Sequence, residues 1–144
     1  MQEAFAQYFS RWKHPLEILV AEDNRINQKV ILHILNKLGY KPELAENGAE
    51  AVDNAREKQF DIILMDMQMP EMDGLQATRF IRENLEHQPV IIALTANTMQ
   101  GEQEECSNAG MNDYISKPVR LEELTAKLEK WSLAKIKNLN VVVN

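Results

Sequence analysis

The chain has 144 residues, 44% hydrophobic and 26% charged, with a formal net charge of −6. That is the composition of one folded domain with an ordinary core, and it excludes a disordered chain. The acidic balance argues against binding of a nucleic-acid backbone, which calls for a basic patch, and the single cysteine, Cys106, excludes an internal disulfide.

No apolar stretch approaches the ~20 residues that a membrane helix needs. The start lacks the basic, apolar and small-residue succession of a signal peptide. These features predict a cytoplasmic domain without direct membrane contact, either on its own or as the cytoplasmic part of a membrane-bound parent. Residues 1–14 stand apart. Phe5, Phe9 and Trp12 recur at spacings of four and three, with Tyr8 adjacent. This suits a linker helix entering the domain, a helix packed on it, or residues left by cloning.

From residue 15 onward, strand-like and helix-like segments alternate. Leu16 to Ala21 is a short apolar strand. Ile26, Val30, Ile31, Ile34, Leu35 and Leu38 then recur at helical spacing, and Gly39 stops that helix. Lys41 to Ala45 reads as a short strand, Asn47-Gly48 as a turn and Ala49 to Lys58 as a helix. Asp61 to Met65 is a strand that leads into Asp66. Leu75, Thr78, Phe80, Ile81 and Leu85 mark the next helix. Pro89 introduces the strand Val90 to Leu94. Residues 97–109 are helix-compatible but polar, with Met99, Cys106 and Ala109 as their few apolar points. Gly110 ends that helix, and Asn112 to Ser116 is a short strand. Leu121, Leu124, Leu128 and Trp131 form the stripe of a last helix. Residues 132–144, with Val141-Val142-Val143, are left as a C-terminal tail.

Apolar strands alternating with amphipathic helices predict an α/β fold, a parallel sheet covered on both faces. Right-handed crossovers leave few arrangements. The natural one is the flavodoxin-like (βα)5 three-layer sandwich with strand order 2-1-3-4-5. In that order the C-terminal ends of strands 1, 3, 4 and 5 converge on one edge, where ligands of such sheets bind.

The residues at those ends form a chemical set. Strand 1 ends in Glu22-Asp23, strand 3 in Asp66, strand 4 in Thr95 and strand 5 in Lys117-Pro118. Taken singly, each has a plain structural reading as a helix cap, a turn or a surface charge. Together the three carboxylates repel and resist ionising, and a divalent cation removes that difficulty. Mg²⁺ prefers oxygen ligands and is held by one or two carboxylates plus phosphate oxygens. With Lys117 as a fixed positive charge and Thr95 as a hydroxyl donor, the set suits phosphoryl transfer. Asp66 is the candidate nucleophile, giving an aspartyl-phosphate.

Val20-Ala21-Glu22-Asp23-Asn24, Leu64-Met65-Asp66 with Met69-Pro70 and Asp73-Gly74, Ala93-Leu94-Thr95-Ala96 and Ser116-Lys117-Pro118 carry a family resemblance. The segment 15–131 resembles the receiver domain of two-component response regulators. The resemblance implies that Asp66 accepts a phosphoryl group from a phosphohistidine. It implies that Glu22, Asp23, Asp66 and the backbone carbonyl of Gln68 hold Mg²⁺. It makes Thr95 and Lys117 the contacts of the phosphoryl oxygens, and Thr95 and Tyr114 the switch that reshapes the surface of helix 4, strand 5 and helix 5. The Lys117-Pro118 bond is expected to be cis. Gln68 and Asn97 stand where the family tunes phosphate lifetime.

Further segments, among them Asn24-x-x-Asn27-Gln28, Leu38-Gly39-Tyr40 and Gly110-Met111-Asn112-Asp113-Tyr114, are similar to receivers attached to hybrid sensor histidine kinases. The implied partner is a histidine kinase or a histidine-phosphotransfer domain. A stand-alone receiver is the alternative. An aspartate-nucleophile phosphatase is weaker, because its acid/base aspartate, two positions after the nucleophile, is Gln68 here. A flavin or dinucleotide binder lacks its glycine-rich loop after strand 1. As a receiver the domain is a phosphoacceptor with at most self-phosphorylation and autodephosphorylation, whatever the parent chain catalyses. Asp53, Asp61, Asp73 and Asp113 read as cap, turn or surface residues, and His14, His33 and His87 as solvent-facing.

Overall fold

The computed structural model describes residues 16–96 and 100–143, with side chains to residue 134. The aromatic cluster of residues 1–14, together with Asn97 and Met99, lies outside the described residues. The elements run β1 (Ile18–Ala21), α1 (Arg25–Lys37), β2 (Glu43–Ala45), α2 (Gly48–Glu57), β3 (Ile62–Asp66), α3 (Gly74–Asn84), β4 (Val90–Thr95), α4 (Gln100–Ala109), β5 (Asp113–Ser116) and α5 (Leu121–Val143). The strands are all parallel, in the order β2-β1-β3-β4-β5. This is the architecture that the alternation of elements predicts.

Period-two alternation divides the strand side chains between two cores. Leu19, Ala21, Ile63, Met65, Ile91 and Ala93 face one side, where they meet Ala51 and Val52 of α2, Ala77 and Ile81 of α3, and Cys106 of α4. Ile18, Val20, Ile62, Leu64, Ile92 and Leu94 face the other, against Ile31, Ile34 and Leu35 of α1 and Leu124 and Leu128 of α5. Each fully buried Ile or Leu contributes roughly 1.5–3 kcal/mol. Both faces are covered, so β1 and β3 are buried throughout and read as continuous apolar runs.

Local signals set the helix ends. The Asn24 side chain accepts from the backbone N–H groups of Ile26 and Asn27 at 2.9 and 3.0 Å and starts α1. Gly39, at φ +96°, ends it in the left-handed region that favours glycine. Asn47 caps α2 through the N–H of Glu50 at 2.8 Å. Asp73 and Gln76 form a reciprocal capping box at the start of α3. Asp73 is therefore a cap, one of the cap, turn or surface roles that the sequence allows it.

Three side chains have larger structural roles than the sequence suggests. Asp113 is no surface carboxylate: its side chain is 7% exposed. It accepts from Lys127 Nζ at 2.7 Å, Trp131 Nε1 at 3.0 Å and its neighbour's N–H at 2.8 Å, and so docks α5 on β5. Burial pushes its carboxyl up, but the Lys127 and Trp131 donors outweigh burial and hold it below the usual carboxylate value. Arg82 reaches from α3 to the carbonyls of Gly110 and Pro89 and to the side chains of Gln88 and Asn112, all at 2.8–2.9 Å. His87 turns inward, its Nε2 2.7 Å from the Phe60 carbonyl. The last helix also runs beyond Trp131, where the sequence predicts a tail, to Val143. Among the described residues, no helix is long and apolar enough to cross a membrane.

Two glycines let the chain pass close to its own backbone. A Cβ on Gly74 would collide with the Asp66 carbonyl, and one on Gly48 with the Met72 carbonyl. Gly101, in the first turn of α4, has open space around its would-be Cβ. Gly74→Ala is expected to cost roughly 1–3 kcal/mol in urea denaturation, because backbone must shift to admit the methyl group. Gly101→Ala is expected to be neutral or to stabilise by up to about 1 kcal/mol. Equal effects at the two positions would contradict this packing.

Candidate functional site

The strand order brings the predicted residues to one edge. β3 lies between β1 and β4, so Asp66 at its end is flanked by Glu22-Asp23 after β1 and by Thr95 at the end of β4. Lys117 follows β5, one strand further out, yet its Nζ reaches Asp66 Oδ1 at 2.8 Å and Glu22 Oε1 at 3.4 Å. The Lys117-Pro118 bond is cis.

Asp66 is 3% exposed and Glu22 fully buried, whereas Asp23 is exposed. One carboxylate oxygen from each of the three lies within 4.8 Å of the others. Burial pushes the Glu22 carboxyl up, and the adjoining Asp66 carboxylate pushes it further. Desolvation, then Glu22, also raises Asp23. Burial alone would lower Lys117, but Asp66 and Glu22 outweigh it and raise the ammonium. The positive charge of Lys117 is therefore held by the same carboxylates that it neutralises.

That neutralisation is incomplete. Glu22 Oε2 accepts from the Asn24 N–H at 3.2 Å, and its backbone carbonyl from Gln28 Nε2 at 2.6 Å. Glu22 Oε1 is buried without a hydrogen-bond partner, with Lys117 at ion-pair distance only. A buried carboxylate oxygen in that condition, beside two further carboxylates, is a donor set for a hard cation. Glu22, Asp23 and Asp66 together fit a metal ion.

The remaining predicted residues lie on the adjoining loop and strands. Gln68 lies two residues past Asp66, and its N–H donates to Asp66 Oδ1 at 3.3 Å. Between Gln68 and α3 the chain turns sharply, with Glu71 at φ +67°, and the N–H of Gly74 returns to the carbonyl of Met67 at 3.1 Å. Thr95 is buried, and its hydroxyl donates to Glu102 Oε1 of α4. Tyr114 is half-buried against the α2–α3–α4 core, with Lys127 Nζ 5.5 Å above its ring. Glu102 is the residue at this site that the sequence does not single out. The signal available was its place in the first turn of the polar α4, seven residues after Thr95.

Comparison with known proteins agrees with this geometry. The model of the response regulator receiver domain family matches residues 18–129. Hybrid signal transduction histidine kinase H of Dictyostelium discoideum is 44% identical over 123 residues, which span 82% of this chain and 9% of that protein. The polar-differentiation response regulator DivK of Brucella anthropi is 37% identical over 119 residues, 81% of this chain and 96% of that protein. Among solved structures, the receiver domain of sensor histidine kinase PA1611 from Pseudomonas aeruginosa, with a magnesium ion coordinated in its active-site cleft, superposes with TM-score 0.76. It is 47% identical and covers 81% of this chain and 97% of its own. The receiver domain of Saccharomyces cerevisiae Ssk1, in complex with the histidine phosphotransfer protein Ypd1, gives TM-score 0.78 at 33% identity, covering 84% and 91%.

Lys117→Ala removes the cation between two buried carboxylates. Without metal it is expected to lose roughly 2–3 kcal/mol of stability, less than for a fully buried pair because Lys117 is partly exposed. Urea denaturation in EDTA measures the loss, and millimolar Mg²⁺ is expected to shrink it. An undiminished loss with Mg²⁺ would separate the lysine from the acidic cluster.

Proposed function

The chain belongs to the response regulator receiver domain family, a component of two-component phosphorelays, and from that premise we propose that Asp66 is its phosphoacceptor. One observation carries the reading: Asp66 is a buried carboxylate with Lys117 Nζ at 2.8 Å and two further carboxylates within 4.8 Å. In the proposed reaction an Asp66 carboxylate oxygen attacks the phosphorus of a phosphohistidine. The O–P bond forms as the P–N bond breaks, and the imidazole leaves after taking up a proton.

Each neighbour has a part in that step. Lys117 meets a phosphoryl oxygen carried on Asp66 with a positive charge, and Thr95 offers a hydroxyl proton from the adjoining strand end. Glu22, Asp23, Asp66 and the Gln68 carbonyl would hold Mg²⁺, which when bound neutralises charge on carboxylates and phosphoryl oxygens alike. Phosphorylation adds roughly −1.5 to −2 charge at Asp66. Thr95 and Tyr114 then shift the packing of α4, β5 and α5, a population shift driven by the new charge.

The proposed partner is a histidine-phosphotransfer domain or a histidine kinase, as the Ssk1–Ypd1 complex suggests by likeness. Its approach to Asp66 passes the N-terminal end of α1, which follows Glu22 and Asp23. Ile26 is 73% exposed there and Val30 41% exposed one turn later, a pair of apolar side chains on one helix face. The proposed parent is a hybrid sensor histidine kinase with this receiver on its cytoplasmic side; this chain spans only 9% of such a relative. The likeness to DivK, matched over 96% of its length, favours a stand-alone receiver as the second reading.

With Mg²⁺ present, the chain is expected to take up phosphoryl label from a phosphorylated histidine-phosphotransfer protein, and EDTA to abolish the uptake. Label retained by Asp66→Asn would end the assignment. Ile26→Glu is expected to slow transfer from the protein donor roughly ten-fold or more, in the range of an interface anchor. It should leave labelling by acetyl phosphate unchanged; equal slowing with both donors would remove α1 from the docking face.

A further inference from the structure

The contact between Thr95 and Glu102 joins the site to α4, and it has a consequence for switching. A threonine hydroxyl carries one proton. Here that proton is given to the carboxylate of Glu102. Glu102 is partly buried in the first turn of α4, where the positive end of the helix favours a carboxylate. A phosphoryl group on Asp66 would need the same proton from Thr95. Two anionic acceptors then compete for one donor, and only one can have it.

We propose that Glu102 is a positioning residue that occupies the Thr95 hydroxyl in the unphosphorylated domain, so that the Glu102 contact and the Thr95–phosphoryl contact exclude one another. The inference rests on the roles proposed above for Asp66 and Thr95. It gives the handover a direction. Once Thr95 turns to the phosphoryl group, the Glu102 carboxylate loses its donor and faces additional negative charge at the site.

The helix that carries Glu102 is the one best suited to respond. Of its side chains from residue 101 onward, only Cys106 and Ala109 are buried. Cys106 packs on Met67, just past Asp66, with Sγ 3.4 Å from Sδ. Among the described contacts of α4, this short apolar strip and the Thr95–Glu102 hydrogen bond tie it to the strand ends. Losing that bond loosens its N-terminal turn more than it would disturb a deeply packed helix. The phosphoryl signal leaves the site through a change of hydrogen-bond partner at Thr95.

The test uses the full chain with Mg²⁺ and beryllofluoride, a non-covalent stand-in for the phosphoryl group, titrated by calorimetry. Glu102→Ala is expected to tighten beryllofluoride binding on the order of ten-fold, the scale of one hydrogen bond to a charged group. Glu102→Gln, which keeps an acceptor but no charge, is expected to fall between Glu102→Ala and the native chain. In a Thr95→Ala background Glu102→Ala should change affinity by less than about two-fold, since the contested donor is gone. In a Thr95→Ser background the tightening should return. Equal tightening with and without the hydroxyl would reduce Glu102 to a general repulsive charge and overturn the proposal, as would no tightening in the native background. Failure of the underlying reading looks different: the native chain would not bind beryllofluoride, or Asp66→Asn would bind it equally well.

Discussion

Glu22 and Asp66 are two buried carboxylates side by side, and the ammonium of Lys117 is what permits them to be there. Burying like charges together is costly, and one counter-ion at 2.8 and 3.4 Å offsets only part of that cost. The residue of the cost is visible as the raised Glu22 carboxyl and its orphaned Oε1. A site poised in this way gains from whatever adds positive charge among its oxygens. The metal binding and the phosphoryl switch proposed above would both be responses of this one unbalanced cluster.

The fold makes the cluster possible by bringing four chain segments to one edge without bringing them together in sequence. Strand order sets the neighbours, with Asp66 central and Glu22-Asp23 and Thr95 to either side. Packing of the loops sets the distances. The carbonyl of Asp66 has Gly74 against it, and the carbonyl of Met72 has Gly48. The chain from Asp66 to α3 is thereby pressed onto both the site and the start of α2. The two cores behind it are tightly filled apolar layers, so the strand ends form a rigid platform. The polar α4 lies beside that platform and, from residue 101 onward, buries only Cys106 and Ala109.

The strands and the positions of the polar residues at their ends were legible because each signal is local: an apolar run, a polar residue at its end, a turn. Asp66, Glu22-Asp23, Thr95 and Lys117-Pro118 stand where that pattern puts them. For Asp73 the sequence left cap, turn and surface roles open, and the exchange with Gln76 makes it a cap. Arg82, Asp113, His87 and Glu102 were not. Each is a polar side chain in an unremarkable sequence setting whose partners lie on another element: the Gly110 carbonyl, Lys127 and Trp131, the Phe60 carbonyl, and the Thr95 hydroxyl. No periodicity sets them apart from solvent-facing residues, and the motif that contains Asp113 does not reveal its partners.

The sequence by itself determined the alternation of strands and helices, and with it the parallel sheet, because hydrophobic period and turn chemistry act over a few residues. It also determined which residue types end the strands, and hence the chemistry available at the sheet edge. Tertiary structure alone decided how charged that edge is and what it is tied to. The burial of Glu22, the reach of Lys117 across to Asp66 and the hydrogen bond from the Thr95 hydroxyl to Glu102 depend on through-space distances between different elements of the fold. Electrostatic energy and hydrogen bonding vary steeply with those distances and with exclusion of water, and neither is fixed until the sheet is assembled and the helices close over it.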